Sequence, residues 1–158
     1  MITQWALRPA RPEDVEPIVE IRAAVMRPDL ERLGRYDPHR VRQRFRDSWS
    51  PRHTSVVTVE GSLAGCVTVR PGEDGGRVLE HFYLAPARQG QGLGSAVLRL
   101  LLDDADAVGE PLRLVVLQGS PARRLYERHG FVRQSEDPVD VVMTRRPAVR
   151  QEDPVTGR

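Results

Sequence analysis

Three glycines at alternate positions, Gly90, Gly92 and Gly94, lie in LAPARQGQGLGSAVLRLLLDDA, residues 84–105, between a predicted strand and a predicted helix. Glycine is costly there unless the backbone must do something that no side chain permits. A helix start presents several N–H groups with no partner inside the helix. They carry partial positive charge and bind anions, and glycines remove the Cβ atoms that would hold a phosphate away. RQGQGLGS ahead of a leucine-rich helix therefore fits a pyrophosphate cradle made mainly of main-chain amides. On spacing alone, a tight strand-to-helix turn without ligand is the alternative.

Several phosphate chemistries fail on composition. All 24 basic residues are arginine. A P-loop needs a lysine on the β and γ phosphates, and a pyridoxal phosphate enzyme of the usual kind needs one for its Schiff base. A dinucleotide fold places its glycine motif after the first strand, with an acid after the next. Here the motif follows about the fourth strand, and the next strand ends VVLQGS without an acid.

The elements that must position this loop can be read from periodicity. WALRPA is a short opening strand. PEDVEPIVEIRAAVM has Val15, Ile18, Val19, Ile21 and Val25 near helical spacing. YDPHRVRQRFRDSW is a second helix, with Asp37 as N-cap, Pro38 at the first helical position, and Val41, Phe45 and Trp49 on one face. TSVVTVEG and SLAGCVTVRPG read as a hairpin, and RVLEHFYL as the strand before the glycine loop. After the loop helix come the strand PLRLVVLQG, the helix SPARRLYERHG, stopped by Gly130, and a hairpin of FVRQSE and VDVVMTRR. The expected class is α/β (α+β) with a mixed sheet. Its strand–helix–strand part places two strands parallel through a right-handed crossover.

A chain of 158 residues, 39% hydrophobic and 29% charged, suits one soluble globular domain. We expect that domain to span residues 1–146, followed by a polar flexible tail over 147–158. The net charge is +2, with acids and bases interleaved. Neither that balance nor any aromatic and basic platform points to nucleic acid. Apolar runs are too short for a membrane helix, and MITQWALRPARPED lacks the pattern of a secretory signal. Cys66 is the single cysteine, which excludes a disulfide framework and a cysteine-rich metal site. A cytoplasmic location and no bound metal are expected.

Beyond this, the sequence resembles the GNAT family of N-acetyltransferases from Leu7 to about Arg145. The acyl-CoA signature Gln/Arg-x-x-Gly-x-Gly/Ala is matched by Gln89, Gly92 and Gly94, and SPARRLYERHGF is similar to the family's closing helix and the Gly-Phe after it. The resemblance implies a mixed, mostly antiparallel twisted sheet of about seven strands with about four helices and a splayed central parallel pair. It implies acetyl-CoA as acyl donor and transfer to a primary amine by direct attack in a ternary complex. A non-catalytic acyl-CoA-binding sensor or regulatory module is the alternative, and a homodimer is an assembly the family allows.

By matching position, Phe82, Tyr83 and Leu84 would bond the pantetheine arm through their backbones. The Leu84 N–H would polarise the thioester carbonyl. Gln89, Gly90, Gln91, Gly92, Leu93, Gly94 and Ser95 would hold the pyrophosphate. Tyr126 stands where the family often has the tyrosine that protonates the departing thiolate. Glu80 is a candidate base for the ammonium form of the acceptor, and strand alternation puts it on one face with Phe82 and Leu84, opposite His81. Ser120 replaces the asparagine with which many relatives start the closing helix, and still caps and still bonds CoA, with shorter reach. The arginines between Met26 and Trp49 are balanced by Asp29, Glu31, Asp37 and Asp47 and read as a solvated face.

Overall fold

β-branched residues and a two-residue turn build the first hairpin. Glu60 and Gly61 both have positive φ, 51° and 81°, which is the backbone a tight hairpin turn requires. They join β2 (Thr54–Val59) to β3 (Ser62–Pro71) in a computed structural model that describes residues 4–148. The other strands are β1 (Trp5–Pro9), β4 (Arg77–Leu84), β5 (Leu112–Leu117), β6 (Val132–Glu136) and β7 (Asp140–Arg145). The helices are α1 (Val15–Arg32), α2 (Pro38–Asp47), α3 (Leu93–Val108) and α4 (Ala122–Arg128).

The seven strands form one sheet in the order β1-β2-β3-β4-β5-β7-β6. Every neighbouring pair is antiparallel except β4 and β5, which α3 connects as a parallel pair. This is the expected mixed, mostly antiparallel sheet with four helices.

Each face of the sheet has its own core. On one, Val57, Val67 and Leu79 pack with Leu93, Val97, Leu98 and Leu102 of α3 and with Leu112, Phe131 and Met143. On the other, Ile18 and Val19 of α1 and Phe45 of α2 cover Val56 and Cys66. Asp37 caps α2, its Oδ1 accepting from the amides of His39 and Arg40 at 3.0 Å each.

α1 departs from the expected helix, which ended near Met26. It continues through Pro28 to Arg32. Proline there leaves the carbonyl four residues earlier without a helical donor. The last turn is pinned instead by Arg32, with one bond inside the helix and one to another part of the fold. Arg32 donates to Asp29 Oδ1 at 2.7 Å and to the carbonyl of Gln118 at the end of β5. Of the expected tail, residues 149–158 lie outside the described residues. The Ala148 amide donates to Asp106 Oδ1 of α3 at 3.0 Å.

Candidate active site

β4 and β5 are paired only where they begin. Arg77 lies opposite Leu112 and Val78 opposite Arg113; beyond these the strands diverge. The gap is a cleft of about 630 Å³, walled by β4, β5, the glycine loop, α4 and the segment Val25–Asp29 of α1. That volume suits a small-molecule site.

The glycine loop closes one end. Gly90 and Gly92 have φ of 75° and 82°, left-handed values that favour glycine. Gly92 is the residue before α3. Among the described residues, the amides of Gly90, Gln91, Gly92, Leu93, Gly94 and Ser95 donate to no protein acceptor. The first helical bond is Ala96 N–H to the Gly92 carbonyl at 3.1 Å. Six consecutive N–H groups without a protein acceptor at a helix start have the arrangement that can receive an anion.

Gly94 adds a second observation. A Cβ built there would meet only Leu125 Cδ2 at 3.4 Å and Leu84 Cδ1 at 3.6 Å, which are ordinary contacts. Neither packing nor φ in the protein alone requires glycine at this position. Gln89 is exposed, and its Nε2 donates back to the Leu84 carbonyl at 3.0 Å. The Leu93 side chain belongs to the core, 2% exposed, so only its amide reaches the loop. The Gln91 side chain donates to the Ala87 carbonyl at 3.3 Å and does not line the cleft.

Along β4 the expected alternation breaks. Thr68 of β3 faces Glu80 and Cys66 faces Tyr83, so His81 and Phe82 together oppose one residue. This is a β-bulge, and His81 has φ of 49°. The extra residue reverses the sides. Leu79, Phe82 and Leu84 face the α3 core, whereas Glu80, His81 and Tyr83 face α1 and α2. Glu80 therefore does not share a face with Phe82 and Leu84, and His81 is on the same side as Glu80. Both corrections follow from a backbone irregularity that a strict two-residue period omits.

Glu80 still lines the cleft, with its oxygens engaged by Arg70: Nε to Oε1 at 2.7 Å and Nη2 to Oε2 at 3.2 Å. Each carboxylate oxygen keeps a further lone pair. Tyr126 packs edge-on to Phe131, ring centroids 5.7 Å apart. It is 8% exposed and borders the cleft, and among the described residues its hydroxyl has no partner. Burial pushes its phenol well above the ordinary range, with a smaller push from Tyr83, so it holds its proton at neutral pH. Ser120 lies at the cleft rim, its Oγ accepting from the Ala122 amide at 3.3 Å.

Arg22 and Ser48, which no local pattern marks, bond the cleft-lining β4 residues Tyr83 and His81. Arg22 is 6% exposed, and its Nε donates to the Tyr83 hydroxyl at 2.9 Å. Among the described residues no carboxylate pairs with it. Nothing local in PIVEIRAAVM marks this arginine as buried, because its acceptors come from β4 and α2.

The acetyltransferase (GNAT) family model matches residues 17–131. This chain belongs to the GNAT acetyltransferase family. Among solved structures, it is similar to a PaiA N-acetyltransferase from Thermoplasma acidophilum in complex with coenzyme A. That match has 18% identity and a TM-score of 0.74, covering 91% of this chain and 99% of that one. It is also similar to the ribosomal-protein-S18-alanine N-acetyltransferase from Escherichia coli, at 20% identity and a TM-score of 0.69, covering 95% and 98%. At these identities the likeness speaks for the fold. No curated protein matches the chain significantly. Among the described residues no helix is long and apolar enough to cross a membrane, and no group of three or more His, Cys, Asp or Glu is placed to hold a metal.

Proposed function

We propose that this single-domain protein, residues 1–146, transfers an acetyl group from acetyl-CoA to a primary amine by direct attack in a ternary complex in the cytoplasm. The observation that carries the reading is the run of six unpartnered amides from Gly90 to Ser95 at the mouth of the β4–β5 splay. The diphosphate of the donor accepts from these amides. Its pantetheine arm lies along the free edge of β4.

The chemistry follows from what faces the cleft. The Ala85 amide bonds the Ala64 carbonyl of β3 at 2.8 Å, so strand alternation turns the Leu84 N–H the other way, to the gap. There it polarises the thioester carbonyl and stabilises the charge that develops on its oxygen. Glu80 takes the proton of the acceptor ammonium, directly or through water, freeing the lone pair. The amine nitrogen attacks the acyl carbon, a C–N bond forms and the C–S bond breaks. Tyr126 donates its proton to the departing thiolate and regains one, through water, from the second proton that the attacking nitrogen sheds.

The test measures CoA binding by thermal shift, then thiol release from acetyl-CoA across polyamines, aminoglycosides, amino acids and peptide N-termini. Binding with turnover of at least one amine is expected. Binding without turnover of any amine would favour an acyl-CoA sensor, and the absence of CoA binding would remove both readings.

A further inference from the structure

The β4 bulge is clamped from both helices that cover it. Arg22 of α1 donates Nε to the Tyr83 hydroxyl at 2.9 Å. That oxygen accepts from a permanent donor, and one tautomer completes the chain: its own proton goes to His81 Nδ1, 3.0 Å away. His81 Nε2 then carries the ring proton and donates to Ser48 Oγ at 2.9 Å, just beyond α2. Ser48 in turn donates to the Arg44 carbonyl at 2.8 Å. Every link has one donor and one acceptor, and the chain runs in one direction. The His81 carbonyl accepts from the Cys66 thiol at 3.1 Å, and the ring sits edge-on to Phe45 at 5.0 Å.

Both imidazole nitrogens are spent in this chain, so the ring has no lone pair for an acceptor amine. Yet His81 holds a φ that non-glycine residues seldom adopt, and such outliers persist only where their surroundings over-determine them. The bulge lies within the same strand segment that ends in Leu84.

We propose that His81 is a positioning residue: through the Arg22–Tyr83–His81–Ser48 chain, α1 and α2 hold the β4 bulge in the one curvature that aims the Leu84 N–H into the cleft. The inference rests on the transferase reading, in which that N–H acts on the thioester. It assigns the helical layer a role in catalysis besides walling the cleft. The alternative role, simple packing, predicts a loss of stability without a selective loss of turnover.

His81→Gly separates the two, because glycine accepts the left-handed φ without strain while the side-chain clamp disappears. The expected result is a folded protein whose kcat falls about 10- to 100-fold, the cost of a small misplacement, with CoA affinity by calorimetry within about threefold because the Gly90–Ser95 cradle is intact. Ser48→Ala and Tyr83→Phe should each lower kcat, and the double variant should lose little more than the worse single one, as links of one chain do. Wild-type turnover in His81→Gly would overturn the inference, as would additive losses in the double variant. A readout independent of turnover is amide hydrogen exchange in the free protein. The Ala85 amide should exchange at least about tenfold faster in His81→Gly. An unchanged rate sinks the positioning role, whereas a wild-type protein that binds no CoA sinks only the transferase reading.

Discussion

Gln89 Nε2 donates to the carbonyl of Leu84 at 3.0 Å, tying the glycine loop to the last residue of β4. One hydrogen bond thus sets the spacing between two surfaces with different tasks. On the proposed reading, the loop that takes the diphosphate and the end of the strand that faces the thioester are held as a unit, so a ligand bound at one is aligned at the other.

Gly94 offers a test that separates ligand from fold. In Gly94→Ala the added methyl meets only ordinary contacts, and alanine gains up to about 1 kcal/mol of helix propensity. The melting temperature of the free protein should hold or rise. CoA affinity should fall about tenfold or more, because the methyl intrudes on the cradle. Unaltered affinity by calorimetry would show that the diphosphate sits elsewhere.

Tyr126→Phe keeps the ring against Phe131 and removes the proton. We expect kcat to drop by roughly 100-fold, the low end for general acid catalysis, with CoA affinity unchanged. Steady-state kinetics beside calorimetry decides. A phenylalanine variant as active as wild type would place the acid on another group or on water.

Glu80→Gln keeps shape and removes the proton acceptor. kcat/KM for the amine should fall roughly 100-fold, with CoA affinity by calorimetry unchanged. A value near wild type would exclude Glu80 as base. Arg70→Gln, which frees the Glu80 oxygens now bound at 2.7 and 3.2 Å, should change kcat/KM for the amine without abolishing turnover.

His81 makes stability depend on pH. Burial is the chief cause that lowers its folded value from 6.5 to about 4; Arg22 and Arg70 lower it further and Glu80 opposes them. Between those limits the unfolded chain binds the proton and the folded one does not, so stability rises with pH across the window. It is fully present above 6.5 and lost as pH falls toward 4. Urea midpoints for wild type and His81→Gly, compared from pH 4 to 7, should converge at the acid end. A constant difference would mean that the ring titrates normally.

Gly65 fixes the approach of β3 to the bulged strand. A Cβ there would collide with the Tyr83 carbonyl oxygen and press on Leu84. Gly65→Ala should cost more than about 3 kcal/mol, at the upper end for overpacking, measured by urea denaturation. A loss under about 1 kcal/mol would show that β4 yields easily.

Local signals made much of this molecule legible. The order of strands and helices, the Glu60–Gly61 hairpin, the Asp37 cap and the loop from Gly90 to Ser95 all depend on neighbours within a few residues. What stayed hidden depends on distant partners. The helix continues past Pro28, where Arg32 reaches the Gln118 carbonyl just beyond β5. The bulge at His81 exists among groups supplied by Arg22 and Ser48, and periodicity carries no sign of it. Glu80 was identified as a carboxylate beside the cleft, but its bidentate partner Arg70 comes from the adjoining strand. Leu93 and Gln91 belong to the loop only through their amides, because one side chain is in the core and the other bonds the Ala87 carbonyl.

Two register pairs alone join β4 to β5. The sheet is therefore two halves meeting at a short seam, bridged from behind by α3. A long thin molecule laid in the open part of that seam would act as a keystone, supplying the cross-strand bonds that the chain leaves unmade. Substrate would then complete the architecture as well as react in it, and the free protein's weakest plane and its place of work would coincide.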